Sequence, residues 1–247
     1  MGERVALVSG GTGALGRVIC DRLSKDGLKV VANCHPSDGD GARAWQRLLA
    51  AEGTEVALYP FDVADHETAR VEIDRIQEEV GPIDVLVNAA GITRDAPIIK
   101  MTPAEWSAVL RTNLDSLYNT THYVIPGMVE RRFGRVVNIS SVNGQRGQFG
   151  QANYAAAKAG VHGFTMAVAR EVARKGVTVN TVSPGYIRSP LVMAVPEEVR
   201  NRILEQIPVG RFGEPDEIAR AVSFLVADSA AYITGADLSV NGGYHMA

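Results

Sequence analysis

Tyr154 and Lys158 stand four residues apart in Asn153-Tyr154-Ala-Ala-Ala-Lys158, and Ser141 precedes Tyr154 by thirteen residues. On a helix a spacing of four puts two side chains on one face, where they can meet. A phenol with an ordinary pKa of about 10 needs help to exchange protons near neutral pH. An ammonium beside it stabilises the phenolate and lowers that value. The pair predicts a proton-transferring tyrosine with Lys158 as its activator. Ser141 follows an apolar run, Arg135-Val-Val-Asn-Ile139, that reads as a buried strand, and a flexible loop is expected between Ser141 and Tyr154.

A second constellation lies near the N-terminus. Gly10, Gly13 and Gly16 fall three apart between the apolar run Arg4–Ser9 and a helical pattern ending at Lys25. Strand, glycine-rich turn and helix make a place for pyrophosphate at a helix N-terminus. A tight turn without a ligand is the other reading, and the position on the first strand and first helix favours the nucleotide. At the end of the second strand an NAD site usually offers a carboxylate to the ribose hydroxyls. Here Asn33-Cys34-His35-Pro36-Ser37 is neutral, with Asp38 and Asp40 only later. That leaves room for a 2′-phosphate, so NADPH is favoured and NADH is the alternative. Arg43 reads equally as a phosphate partner or as a solvated helix arginine.

The elements that position these residues alternate along the chain. Strands are expected at 4–9, 28–32, 55–59, 83–87, 135–139, 177–182 and 236–240, with helices between them. Thr102-Pro103-Ala104-Glu105 reads as a capping box with proline at the first helical position. It opens a helical region that bends near Asn113 and runs to about Glu130. Residues 188–212 carry Pro190, Pro196 and Pro208 and read as helical patches forming a lid. The expected fold is a doubly wound parallel α/β sheet of about seven strands, in a single domain spanning 1–247.

Composition excludes several classes. Hydrophobic residues make up 46% and charged residues 21% of the 247, as in an ordinary globular domain. The net charge is −3 with the 25 basic residues scattered, which argues against nucleic acid or an acidic membrane as partner. No apolar run reaches the roughly 20 residues of a membrane span, and Met1-Gly-Glu-Arg carries no signal-peptide pattern. Cys20 and Cys34 are too few for a disulfide framework, and the five histidines lack metal-ligand spacing. A soluble, cytoplasmic, metal-independent chain is expected.

Together these motifs resemble the short-chain dehydrogenase/reductase family over the whole chain. The family's glycine motif corresponds to Ser9-Gly10-Gly11-Thr12-Gly13-Ala14-Leu15-Gly16, with Ser9 in place of threonine and Ala14 in place of the middle glycine. Asp62-Val63 matches its adenine-contacting pair, and Asn88-Ala89-Ala90-Gly91 matches Asn-Asn-Ala-Gly with one alanine exchange. Asn113, Ser141, Tyr154 and Lys158 match its catalytic tetrad, and Pro184-Gly185 its motif beside the nicotinamide. The resemblance implies cofactor contacts at Gly10, Gly13, Leu15, Gly16, Asp62, Val63, Asn88, Ala89, Gly91, Tyr154, Lys158, Pro184, Gly185 and Ile187.

Within the family, Ser140–Gln151, Val177–Ile187 and the ending Asn241-Gly-Gly-Tyr-His-Met are similar to acetoacetyl-CoA reductases of polyhydroxyalkanoate synthesis. Gly150–Lys158 and Ala231–Gly235 suit 3-oxoacyl-acyl-carrier-protein reductases equally well, and Arg188-Ser189-Pro190 departs from both groups. The implied reaction is NADPH-dependent reduction of acetoacetyl-CoA to 3-hydroxybutyryl-CoA, with carrier-protein thioesters as the alternative. Tyr154 would donate the proton, Lys158 would activate it and hold the ribose, Ser141 would bond the carbonyl oxygen, and Asn113 would hold a water for proton resupply. Gln148, Phe149, Gln151 and Tyr186 are expected around a short acyl group. Arg188 and Arg202 are candidates for coenzyme A phosphates, and Arg131, Arg132, Arg135, Arg174 and Lys175 for an acidic carrier. A dinucleotide sensor without turnover is a further class, but it has no use for a complete tetrad. The resemblance also implies a homotetramer, with the helices at 103–130 and 153–175 and the C-terminus at interfaces.

Overall fold

The apolar runs become strands because each is buried on both faces. In β1 (Val5–Ser9) every residue is buried, and Ala6 and Val8 point to one side while Val5 and Leu7 point to the other. The computed structural model describes residues 3–246; Met1, Gly2 and Ala247, included in the single-domain expectation, lie outside the described residues. The other strands are β2 (Lys29–Cys34), β3 (Val56–Pro60), β4 (Ile83–Asn88), β5 (Gly134–Ile139), β6 (Val177–Pro184) and β7 (Asp237–Val240). They form one parallel sheet in the order β3-β2-β1-β4-β5-β6-β7. This is a Rossmann-like doubly wound fold.

Helices cover both faces, as a parallel sheet requires. On one side α1 (Ala14–Lys25) and α2 (Gly39–Ala51) pack with α10 (Pro215–Val226), through Ile19, Leu23, Trp45, Leu49, Ile218 and Leu225. On the other side α3 (His66–Glu79), α5 (Ser116–Arg131) and α7 (Ala152–Val172) bring Ile73, Ile76, Val124, Met128, Ala169 and Val172. Before α5 comes α4 (Pro103–Leu110), opened by the reciprocal Thr102–Glu105 capping box. The bend expected near Asn113 is a single π turn over Arg111–Asp115, a wide turn of the kind that recurs at functional sites.

Between Ser141 and Tyr154 the structure corrects the expected flexible loop. A short helix, α6 (Val142–Arg146), starts there with Ser141 as its N-cap, the serine oxygen accepting from Asn143 N at 3.1 Å. Residues 188–212 hold two short helices, α8 (Pro190–Met193) and α9 (Glu197–Leu204), and no strand. The chain reverses its winding between β1 and β4. Ligands of open α/β sheets bind at that switch, beyond the carboxyl ends of the strands.

Candidate active site

The glycine loop leaves β1 at the switch point. Gly10 adopts φ +62, and a Cβ on it would lie 2.7 Å from the Cα of Ala90, so only glycine lets the loop close on the strand beside it. A Cβ on Gly16 would meet the Gly10 carbonyl oxygen at 2.2 Å. The N-terminus of α1 has Gly13 as its cap and no side-chain capping bond, which leaves its first N–H groups available to an anion. In front lies a cleft of about 490 Å³ lined by Gly10, Thr12, Gly13, His35, Ser37, Asp38, Asp62, Val63, Ala89, Gly91, Ile92, Arg94 and Thr112 among others. Volume, glycine cradle and uncapped helix together fit a dinucleotide.

Not every expected cofactor residue faces this cleft. Gly16 is buried under the loop, and Leu15 packs against the core beneath it. Asn88 lies behind the floor, its amide donating to Asn138 Oδ1 at 2.8 Å and accepting from Thr120 Oγ1 at 2.7 Å. Ser9 supports the same floor, accepting from Ala89 N and Ala90 N. Asn33, which the sequence reading treated only as a neutral residue, holds the loop itself. Its Oδ1 accepts from Gly10 N at 3.1 Å and its Nδ2 donates to Phe61 O at 2.8 Å. An asparagine ending an apolar strand was the signal. Arg43 pairs with Asp40 at 2.7 Å and does not line the cleft, whereas Asp38 does. The phosphate-partner reading of Arg43 is therefore corrected.

Ser141, Tyr154 and Lys158 gather at the carboxyl end of β5. Lys158 is only 4% exposed, and its Nζ donates to Ile139 O at 2.7 Å and lies 5.8 Å from the centre of the Tyr154 ring. Burial pushes its pKa down to about 8. The Tyr154 phenol is pushed up by burial, opposed by a hydrogen bond with Ser141, and raised further by the carboxylate of Asp95. This reverses the expected direction for Tyr154: desolvation raises the phenol, and the Lys158 amine is directed at the Ile139 carbonyl instead. Ser141 Oγ accepts from Asn143 N and turns its own hydrogen towards the Tyr154 oxygen, so the two hydroxyls face the same space. The Asn113 side chain bonds Ile92, accepting from its N at 2.8 Å and donating to its O at 2.9 Å.

The substrate side differs more from expectation. Phe149 is 87% exposed, so it forms no apolar wall here, and Gln148 is exposed beside it. Gln151 donates to Asp95 at 2.7 Å and accepts from Asn143 at 2.9 Å, so its amide braces the loop around Ser141. Gly185, Tyr186 and Ile187 line a cavity of about 100 Å³ with Ile207, Val209 and Asn241, separate from the main cleft. Pro184 ends β6 just before them. Arg188 pairs with Glu214, and Arg202 with Glu198.

The basic residues proposed for a carrier protein do not form a patch at this site. Arg135 is 4% exposed and donates to the carbonyls of Gly134 and Gly176, and Arg131 donates to Ile83 O at 2.7 Å. Arg131, Arg132, Arg174 and Lys175 precede β5 or β6, at the amino ends of the strands. Ser141, Tyr154 and Lys158 lie at the carboxyl ends, about 20 Å away for six-residue strands.

A family profile described as enoyl-(acyl carrier protein) reductase matches residues 11–245. The acetoacetyl-CoA reductase of Allochromatium vinosum is 56% identical over 98% of this chain and 99% of its own length. That of Cupriavidus necator is 52% identical over the full length of both. The 3-oxoacyl-[acyl-carrier-protein] reductase of Vibrio cholerae is 46% identical over 98% of each.

Proposed function

Because the chain belongs to the short-chain dehydrogenase/reductase family, we propose that it reduces acetoacetyl-CoA to 3-hydroxybutyryl-CoA with a nicotinamide dinucleotide. The observation that carries this reading is the gathering of Ser141, Tyr154 and Lys158 at the carboxyl end of β5, beside a glycine cradle. Several full-length relatives named acetoacetyl-CoA reductase support the choice of thioester.

A nicotinamide dinucleotide, when held in the cleft, would supply a hydride for the 3-oxo carbon. The residues supply orientation and a proton. Tyr154, whose burial keeps it a phenol at neutral pH, donates its proton to the carbonyl oxygen. Ser141, turning its hydrogen from Tyr154 to the substrate, bonds that same oxygen and stabilises the negative charge developing there. Lys158 keeps N–H groups beyond the one given to Ile139, and these serve the ribose and the re-protonation of Tyr154. Gly10, Gly13 and the N-terminus of α1 would hold the pyrophosphate, and Asp62-Val63 would border the adenine.

For the coenzyme, the neutral stretch Asn33–Ser37 supports NADPH, while Asp38 in the cleft and Arg43 outside it support NADH. We read the cleft as accepting both, with Asp38 setting the balance. Exposed Trp106, Tyr118 and Met166 on the helices at 103–130 and 153–175, and Tyr232 and Met246 near the C-terminus, support a homotetramer. Among the described residues no helix is long and apolar enough to cross a membrane; a cytoplasmic place in polyhydroxyalkanoate synthesis is part of the same proposal.

The second reading, a 3-oxoacyl-carrier-protein reductase, has the Vibrio cholerae relative in its favour. Against it stands the position of the basic residues, at the far ends of the strands. Oxidation of reduced nicotinamide followed with acetoacetyl-CoA and with an acetoacetyl carrier protein separates the two. Faster turnover of the CoA ester is expected, and equal or faster turnover of the carrier substrate overturns the choice.

A further inference from the structure

Three consecutive residues at the end of β5 engage the catalytic helix. Ile139 O accepts from Lys158 Nζ, Ser140 Oγ donates to Lys158 O at 2.7 Å, and Ser141 bonds Tyr154. The middle contact is held from behind. His162, one turn beyond Lys158 on α7, places Nε2 3.0 Å from Ser140 Oγ. A hydroxyl has one hydrogen and a carbonyl has none, so the Lys158 carbonyl takes the hydrogen of Ser140. Counting hydrogens then assigns an N–H to His162 Nε2, donating to Ser140 Oγ.

On its other side, His162 Nδ1 lies 3.5 Å from Asp237 Oδ2, an ion pair when the ring carries a proton on both nitrogens. Asp237 also accepts from Ser183 Oγ at 2.7 Å and from Gln145 Nε2 at 2.6 Å. Ser183 immediately precedes Pro184-Gly185, and Gln145 sits in α6, the helix that Ser141 caps. One carboxylate on β7 therefore gathers the elements that carry the serine, the lysine and the strand end beside the cofactor motif.

We propose that His162 is a positioning residue for the reaction, which keeps Ser140 on the Lys158 carbonyl, and that Asp237 couples this brace to α6 and β6. The inference rests on the reductase reading of the site. Its physical content is register. Without the donor at His162, the Ser140 hydroxyl turns away and α7 shifts along β5, taking Lys158 and Tyr154 out of line with Ser141. A misplacement of about 1 Å at reacting groups costs on the order of 10²-fold in rate.

The test uses His162→Leu, which keeps bulk and removes the donor, and His162→Gln, which returns an amide N–H near the Nε2 position. His162→Leu is expected to lower kcat by about tenfold or more, with substrate KM and coenzyme Kd within about threefold of wild type. His162→Gln should recover most of that loss. Asp237→Ala should fall in the same direction, and the double variant with His162→Leu should be little worse than His162→Leu alone, as for residues of one network. Undiminished kcat in His162→Leu, equal losses in both His162 variants, or fully additive losses in the double variant would each overturn the brace. A second readout is the ultraviolet titration of the Tyr154 phenol in coenzyme-free protein, taken as a difference against Tyr154→Phe. His162→Leu should displace it and His162→Gln should not. Wild-type protein inactive on both thioesters would sink the reductase reading alone, and this titration would still decide the brace.

Discussion

Lys158 Nζ lies 2.7 Å from the carbonyl oxygen of Ile139, so the amine on α7 is tied to the last residue of β5, two residues before Ser141. The bond fixes the lysine but does not offset its burial, which pushes its pKa down to about 8. A lysine whose folded value is below its unfolded one opposes folding while the unfolded amine is charged. That cost is full below about pH 8 and fades as pH rises towards the ordinary lysine value of about 10.4.

Lys158→Met is therefore expected to stabilise the coenzyme-free protein at neutral pH, by roughly 1–3 kcal/mol after the unpaired Ile139 carbonyl is allowed for. The Tm gain should shrink between about pH 8 and pH 10 as the wild type sheds its buried charge. Reductase activity should be lost in the same variant. Thermal melts across pH check this; a variant no more stable than wild type at pH 7 contradicts it.

The Tyr154 phenol is held up by burial and partly brought down by Ser141. With Tyr154 as the proposed donor, reduction would use the protonated phenol, so its rate should stay level through neutral pH and fall only in alkali. Oxidation of the hydroxy product uses the phenolate and should climb over the same alkaline range. Paired pH–rate profiles in the two directions read this out. A reduction rate already falling between pH 6 and pH 7 would be inconsistent with a raised phenol.

Asp38 lines the coenzyme cleft, whereas Arg43 is paired with Asp40 outside it. Asp38→Asn removes a like charge near the position of a 2′-phosphate and should raise the NADPH-to-NADH ratio of kcat/KM by about tenfold. Arg43→Ala should leave that ratio within about twofold of wild type, since an exposed ion pair has little influence at a distance. Steady-state kinetics with both coenzymes decide between these expectations and a ratio governed by Arg43.

At Gly16 an added Cβ would sit 2.2 Å from Gly10 O and 2.8 Å from Gly11 Cα, both backbone atoms that cannot swing aside. Gly16→Ala should cost about 1–3 kcal/mol of stability by overpacking, and coenzyme affinity should fall because the loop is displaced from the helix N-terminus. Fluorescence titration with reduced nicotinamide dinucleotide checks it. Unchanged affinity would show that the loop tolerates a different path.

Much of this was legible in the chain because local rules and tertiary packing agree. Thr102–Glu105 forms its capping box, the bend near Asn113 is present as a π turn, and β1 reads as apolar because both its faces are covered. Where the reading failed, the deciding quantity was three-dimensional. Arg135 counts as a surface charge in sequence, yet it is buried against backbone carbonyls at the start of β5. Phe149 has the type of an acyl-pocket residue, but its ring is in solvent. The direction at Tyr154 depended on desolvation against the reach of Lys158, and spacing on a helix says nothing of either. The role of Asn33 depended on β2 ending opposite Gly10, a register that no local motif encodes.

If Tyr154 is the proton donor in the reduction of acetoacetyl-CoA, its replacement must separate turnover from coenzyme binding. The direct measurement is loss of reduced-nicotinamide absorbance with acetoacetyl-CoA, for wild type and Tyr154→Phe, with coenzyme binding titrated in both. The account predicts turnover by the wild type, a fall of about 10²–10⁴-fold in the variant, and nearly equal coenzyme affinity. Turnover by Tyr154→Phe near the wild-type rate, or no wild-type turnover of acetoacetyl-CoA, would contradict it.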